Sequence, residues 1–174
     1  MKDKYRFIHN VFLDSCAFDP KIPEEQRASF QILKWAEDMT VVPIIPHSVI
    51  KELEHPNTPK GVKAVAMQFV YTYKVSLTPE QRKQLQAIES IVIGKGDRAN
   101  YKNDAMHIFI ADDSGRYFIT TENRLIRKKD EIKRVSTGLE ICKPTEFVEI
   151  VENDRKFQIE HRERMNKLRG INNS

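Results

Sequence analysis

The sequence predicts an α/β fold with a central parallel sheet. Short, mostly apolar runs recur at Phe7–Leu13, Thr40–Ile45, Arg116–Thr120 and Leu139–Cys142, the pattern of strands buried on both faces. Stretches with apolar residues at helical spacing lie between them. The resulting β-α-β order favours parallel strands joined by right-handed crossovers.

Each element has its own signal. Asp14 to Pro23 reads as loop, because Pro20 and Pro23 interrupt it. Glu24 to Met39 reads as a helix: Ala28, Ile32, Leu33, Trp35, Ala36 and Met39 share a face, and Glu24 and Glu25 suit its first turn. Pro46 to Glu54 is expected to be a short helix with proline at its start, and Val62 to Tyr73 a longer apolar one. Thr78-Pro79-Glu80-Gln81 opens a helix with a capping box, running to about Ser90. Val92 to Lys102 reads as exposed loop, with Gly94 and Gly96 among its charges. Asn103 to Asp112 is apolar almost all round, so a central helix is expected there. Glu122 to Lys133 reads as a charged helix, Pro144 to Val151 as a closing turn of helix, and Asn153 to Arg169 as a polar tail helix. The expected organisation is one domain over residues 1–152 and a tail over 153–174.

Size and composition bound the function. A chain of 174 residues with 40% hydrophobic and 31% charged content holds one soluble domain with a sizeable core. The net charge of +4 permits a polyanionic partner. Cys16 and Cys142 are too few for a disulfide framework and read as buried free thiols in a reducing compartment. Met1 to Arg6 leads into no signal-type apolar stretch, and no apolar run is long enough to cross a bilayer. A cytoplasmic protein without a membrane partner is expected.

Four acids punctuate the chain beside apolar runs. Asp14 closes Val11-Phe12-Leu13, and Glu52 follows Val41-Val42-Pro43-Ile44-Ile45 by one short helical stretch. Asp104 stands near the start of the expected Asn103 helix, and Glu122 follows Tyr117-Phe118-Ile119-Thr120-Thr121. Taken singly, Asp104 reads as a cap or first-turn acid, Glu52 as a solvated helix face and Glu122 as a first-turn acid. Asp14 is different, because a carboxylate directly ending a buried strand needs a partner. Strand ends of a parallel sheet share one edge, and carboxylates gathered there repel one another unless a cation intervenes. A divalent ion with oxygen ligands is the simplest candidate.

Other phosphate chemistries fit less well. Asp14-Ser15-Cys16 lacks the second Asp of a haloacid-dehalogenase-type phosphatase, and Glu122 stands where a receiver domain places lysine. Gly94-Lys95-Gly96 is neither a phosphate-binding loop nor a dinucleotide fingerprint.

Taken in order, Val11-Phe12-Leu13-Asp14-Ser15, Pro46 through Leu53 with Glu52, Asn103-Asp104-Ala105, and Phe118 through Leu125 resemble the PIN-domain family. Lys143-Pro144-Thr145-Glu146-Phe147 resembles its closing segment, so the likeness spans about Phe7 to Ile150. It implies a three-layer α/β/α fold and Mg²⁺- or Mn²⁺-dependent cleavage of RNA. By resemblance Asp14, Glu52 and Asp104 form the acidic triad, and Glu122 stands where the family usually has a fourth acid, most often Asp. Thr120 supports the site, Ser15 adds a hydroxyl, and Asn123 is a substitute ligand.

Basic residues Lys95, Arg98, Lys102, Arg124, Arg127 and Lys128 would track RNA, with Tyr101 available for stacking. The same charges also fit a solvated helix face. Stand-alone prokaryotic members are often VapC-like toxins, so an antitoxin protein and a homodimer are partners by resemblance. The rival expectation is a catalytically weakened PIN-like module that binds RNA or protein.

Overall fold

A computed structural model describes residues 9–18, 20–46, 70–71, 77–94, 96, 98–168 and 170. Among them, five strands form one sheet: β1 (His9–Leu13), β2 (Val41–Pro46), β3 (Val70–Tyr71), β4 (Tyr117–Ile119) and β5 (Glu140–Cys142). Every pairing is parallel, in the order β3-β2-β1-β4-β5. The α/β class and the parallel sheet are as the β-α-β pattern predicts.

The order reverses between β1 and β4, because the chain leaves β1 towards β2 and β3 and later returns to its other side. In open parallel sheets such a switch point opens a crevice beyond the carboxyl ends of the strands. Asp14 follows β1 there, and Thr120 follows β4.

Described helices are α1 (Ser15–Phe18), α2 (Pro23–Glu37), α3 (Pro79–Ile93), α4 (Arg98–Ser114), α5 (Asn123–Lys133) and α6 (Pro144–Leu168). They form two packed groups: α2 touches α1 and α6, while α3 touches α4 and α5. Phe12, Leu13, Ile32, Ile88, Ile108, Phe109, Phe118, Ile119 and Phe147 are fully buried within one core. The Phe12 and Phe118 rings stack at 5.3 Å across β1 and β4, and His107 of α4 lies 5.8 Å from Phe12.

Several boundaries differ from expectation. Ser15–Phe18 is a helical turn rather than loop, since Ala17 N–H donates to the Asp14 carbonyl at 3.0 Å. Pro46 ends β2 instead of opening a helix, and Val70 and Tyr71, expected within a helix, pair with Ile45 and Pro46 as a strand. The remainder of those two expected helices, Glu52 included, lies outside the described residues.

Most of the expected loop at Val92–Lys102 is helical. α3 continues to Ile93 and α4 begins at Arg98, which leaves a short joint. Gly94 makes the turn at φ +56, a conformation L side chains resist. The capping box at the start of α3 is as expected: Thr78 Oγ1 accepts from Gln81 N at 3.2 Å, and Gln81 Oε1 accepts from Thr78 N at 3.0 Å.

The expected closing turn and tail are one 25-residue helix, α6. No glycine or proline interrupts it after Pro144, and Phe147 and Val151, four apart, bury one face. Buried Glu25 of α2 caps its start, accepting from Thr145 N and Thr145 Oγ1, each at 3.0 Å. Arg155 holds its middle: the guanidinium lies 4.9 Å from the Trp35 ring centroid and donates to Thr40 Oγ1 at 2.9 Å. Among the described residues no helix is long and apolar enough to cross a membrane.

Candidate functional site

The β1–β4 register pairs Leu13 with Ile119, so one residue further Asp14 stands beside Thr120. Asp14 N–H extends the ladder by donating to the Ile119 carbonyl at 3.0 Å. Strand alternation turns Asp14 and Thr120 to the face of Phe12 and Phe118.

Asp14 is buried, at 7% exposure, and is surrounded by neutral donors. Thr120 Oγ1 donates to Oδ2 at 2.7 Å, and Ser15 N–H donates to Oδ1 at 2.8 Å. The Cys16 thiol lies 3.2 Å from Oδ2 and 3.2 Å from Thr120 Oγ1. Thr120 and Cys16 each carry a single proton, and both are directed at Asp14 Oδ2. In turn Thr120 Oγ1 accepts from Glu122 N at 3.0 Å, and Cys16 Sγ accepts from Thr121 N at 3.3 Å. Among the described residues no cation pairs with Asp14.

Burial, reinforced by the Asp14 charge and opposed by hydrogen bonds from Thr120 and Thr121, pushes the Cys16 thiol up to about 12. It stays protonated at neutral pH and serves as a donor, not a nucleophile. Burial likewise raises Cys142 in β5 well above the usual thiol range. Both cysteines are free as expected; Cys142 is buried, while Cys16 is half-buried. The position of Cys16 inside the Asp14 cluster was not anticipated, although its place two residues after a strand-ending acid was a usable signal.

Asp104 is held differently. It lies in the second turn of α4, because α4 begins at Arg98, and so it is neither the cap nor the first-turn acid that its place in the sequence suggests. α4 runs antiparallel to β1. Gly115, just past its end, would place a Cβ 3.5 Å from the Asn10 carbonyl oxygen, and His107 packs on Phe12. One turn before His107, Asp104 thus lies towards the carboxyl edge of the sheet.

The charge of Asp104 is met by Arg124, whose Nη2 forms an ion pair with Oδ2; both side chains are about three-quarters buried. Arg124 is also held by neighbours other than Asp104. Its Nη1 donates to the Val92 carbonyl at 2.8 Å, and its guanidinium lies 3.7 Å from the Tyr101 ring centroid. That ring packs so closely on the α3–α4 joint that a Cβ on Gly96 would stand 2.5 Å from it.

Glu122 is exposed and is the N-cap of α5, where Oε1 accepts from Arg124 N at 3.3 Å. Asn123 beside it is exposed. Lys128, one turn after Arg124, donates to the carbonyls of Ile91 and Val92 at 2.7 and 3.2 Å. Arg124 and Lys128, expected to track RNA, therefore cap the last turn of α3. Arg127 and Lys102 are exposed, Arg98 opens α4, and Lys95 lies outside the described residues. Lys129 faces Glu146 at 3.7 Å, and Lys133 pairs with Glu140 at 2.5 Å.

Asp14, Ser15, Thr120 and Glu122 therefore meet at one edge, with Cys16 added. Asp104 stands at a neighbouring corner built from α3, α4 and α5. Among the described residues no three His, Cys, Asp or Glu side chains gather as a ligand set. The pairing of Asp104 with Arg124, twenty residues apart, left no local signal in the sequence. The sequence matches no protein-family model and no curated protein.

Proposed function

We propose that the chain is a divalent-metal-dependent endoribonuclease of PIN type, with the three-layer α/β/α arrangement that type implies. One observation carries this reading. A buried carboxylate, Asp14, directly follows the central strand at the switch point of a parallel sheet, and among the described residues its hydrogen-bond donors are all neutral. Such a charge is costly to bury without a counter-charge, and carboxylate oxygens are the ligands that a hard cation takes.

Asp14, with Asp104, Glu122 and Glu52, would hold Mg²⁺ or Mn²⁺. When bound, the ion supplies Lewis-acid activation of water and neutralises charge developing on a phosphodiester. Thr120 and Cys16 fix Oδ2 of Asp14 and Ser15 N–H fixes Oδ1, so the carboxylate is oriented beforehand. Glu122, anchored through Thr120 Oγ1 and the α5 cap, presents a second carboxylate on the solvent side. Lys102 and Arg127 offer exposed positive charge to an RNA backbone. The antitoxin partner, the homodimer and a cytoplasmic location belong to the same proposal.

A second reading is a PIN-like module with weakened catalysis that binds RNA or protein. The ion pair between Arg124 and Asp104 favours it, because a neutralised acid attracts a cation less. Mixed RNAs incubated with Mg²⁺ or Mn²⁺ separate the two. Wild type should cut, while Asp14→Asn and Asp104→Asn should each lose cutting. Metal-dependent cleavage that survives both substitutions would end the nuclease proposal; RNA retention without cleavage would favour the module.

A further inference from the structure

We infer that Arg124 is a built-in counter-ion of the acidic site, which a divalent cation must displace from Asp104 in order to load. The inference rests on the metal-nuclease proposal. It adds a role for a residue to which the nuclease proposal gives none.

Arg124 does not reach Asp104 by chance of side-chain wandering. Its backbone N–H is fixed on Glu122 Oε1 at 3.3 Å, its Nη1 on the Val92 carbonyl at 2.8 Å, and its plane on the Tyr101 ring at 3.7 Å. Tyr101 in turn is pressed on the joint at Gly96. These restraints act without Asp104, so the guanidinium is pre-positioned beside the carboxylate. The ion pair then forms at little further entropic cost.

The arrangement contrasts with ordinary support of a metal ligand, in which neutral donors orient the carboxylate and leave its charge available. Asp14 has that support from Thr120, Cys16 and Ser15. Asp104 instead meets a permanent cation in a site about three-quarters buried, where screening by water is reduced. A divalent ion approaching Asp104 faces the repulsion of the guanidinium as well as the loss of the pair. Arg124 thereby raises the cation concentration needed for loading.

The test is Mn²⁺ binding to the full chain by calorimetry and by electron paramagnetic resonance, neither of which depends on activity. Arg124→Gln should bind Mn²⁺ about tenfold more tightly than wild type. Lys128→Ala, which removes the other donor to Val92 but leaves Asp104 paired, should bind as wild type does. If Arg124→Gln fails to fold by circular dichroism, Tyr101→Leu, which removes the ring that holds the guanidinium, should tighten binding in the same direction.

Binding to Arg124→Gln that is unchanged or weaker, with wild-type uptake still abolished by Asp14→Asn, would overturn this role and leave the nuclease proposal standing. Equal tightening in Lys128→Ala would also overturn it, by showing a general loosening of the α3 end. Absence of Mn²⁺ uptake in every protein would overturn the metal-nuclease proposal and this role together.

Discussion

Asp14 and Asp104 sit at adjacent corners of the same sheet edge, yet they are held in opposite ways. Asp14 accepts from a hydroxyl, a thiol and a backbone amide, all uncharged. Asp104 is paired with a guanidinium. Neutral donors orient a carboxylate and preserve its attraction for cations; an ion pair orients it and spends that attraction. Asp14 is thus the anchor of the proposed metal site, and Asp104 is the member whose participation is conditional.

The largest expected effect is on RNA cutting. Asp14→Asn should lower metal-dependent cleavage by about 10²–10³-fold, a scale set by losing one pre-positioned electrostatic group. Gel-based rates on a labelled RNA would measure it. Asp104→Asn should also lose cutting, but by less; a greater fall in Asp104→Asn than in Asp14→Asn would reverse the ranking of the two corners.

Stability comes next. Thr120 is fully buried and both donates to Asp14 and accepts from Glu122 N–H. Thr120→Val should therefore lower unfolding free energy by about 1–3 kcal/mol, read from urea midpoints. A near-neutral effect would mean the Asp14 cluster contributes little to the fold.

The two corners should also differ in their response to alkali. The Cys16 thiol is raised by burial, from the model-compound value of 9.0 to about 12 in the folded chain. Between those values the unfolded chain has lost this proton while the folded one keeps it, so stability falls as pH rises from 9 towards 12. Cys142, raised by burial, and Lys133, raised by Glu140, add losses of the same sign. Urea midpoints at pH 8 and 10 would show the decline, and Cys16→Ser should flatten part of it. Arg124→Gln at the Asp104 corner touches neither thiol, so it should leave the slope unchanged.

The smallest effect is that of Cys16→Ser at neutral pH. A serine hydroxyl keeps a donor for Asp14 Oδ2, so the midpoint should move by less than about 1 kcal/mol. Cys16→Ala, which removes the donor, should cost more by the same measurement.

Much of this architecture was legible along the chain. Val11-Phe12-Leu13 and Tyr117-Phe118-Ile119 announced buried parallel strands, and the acids past them, Asp14 and Glu122, were therefore expected at one edge; Thr120 read as the last strand residue, and its supporting place came from the resemblance. The Thr78–Gln81 capping box set the start of α3. What stayed hidden depended on tertiary context. Gly94 and Gly96 punctuate like a long loop, but one tight turn suffices, and Gly96 is needed for the approach of Tyr101. Val70 and Tyr71 fit a helical pattern until pairing with β2 extends them. Asp154 and Arg155 look like a polar tail, yet Arg155 docks on Trp35 and keeps α6 continuous. Arg124 reads as one charge among many on α5, and only the packing of three helices brings it to Asp104.

The most direct test of the central claim is the thermal melt of wild type and Asp14→Asn with and without Mn²⁺. At about 100 times the dissociation constant, binding adds roughly 2.7 kcal/mol, or about 5–10 °C for a domain of this size. Wild type should show that gain and Asp14→Asn should not. Equal gains in both proteins would place the cation away from Asp14 and contradict the account.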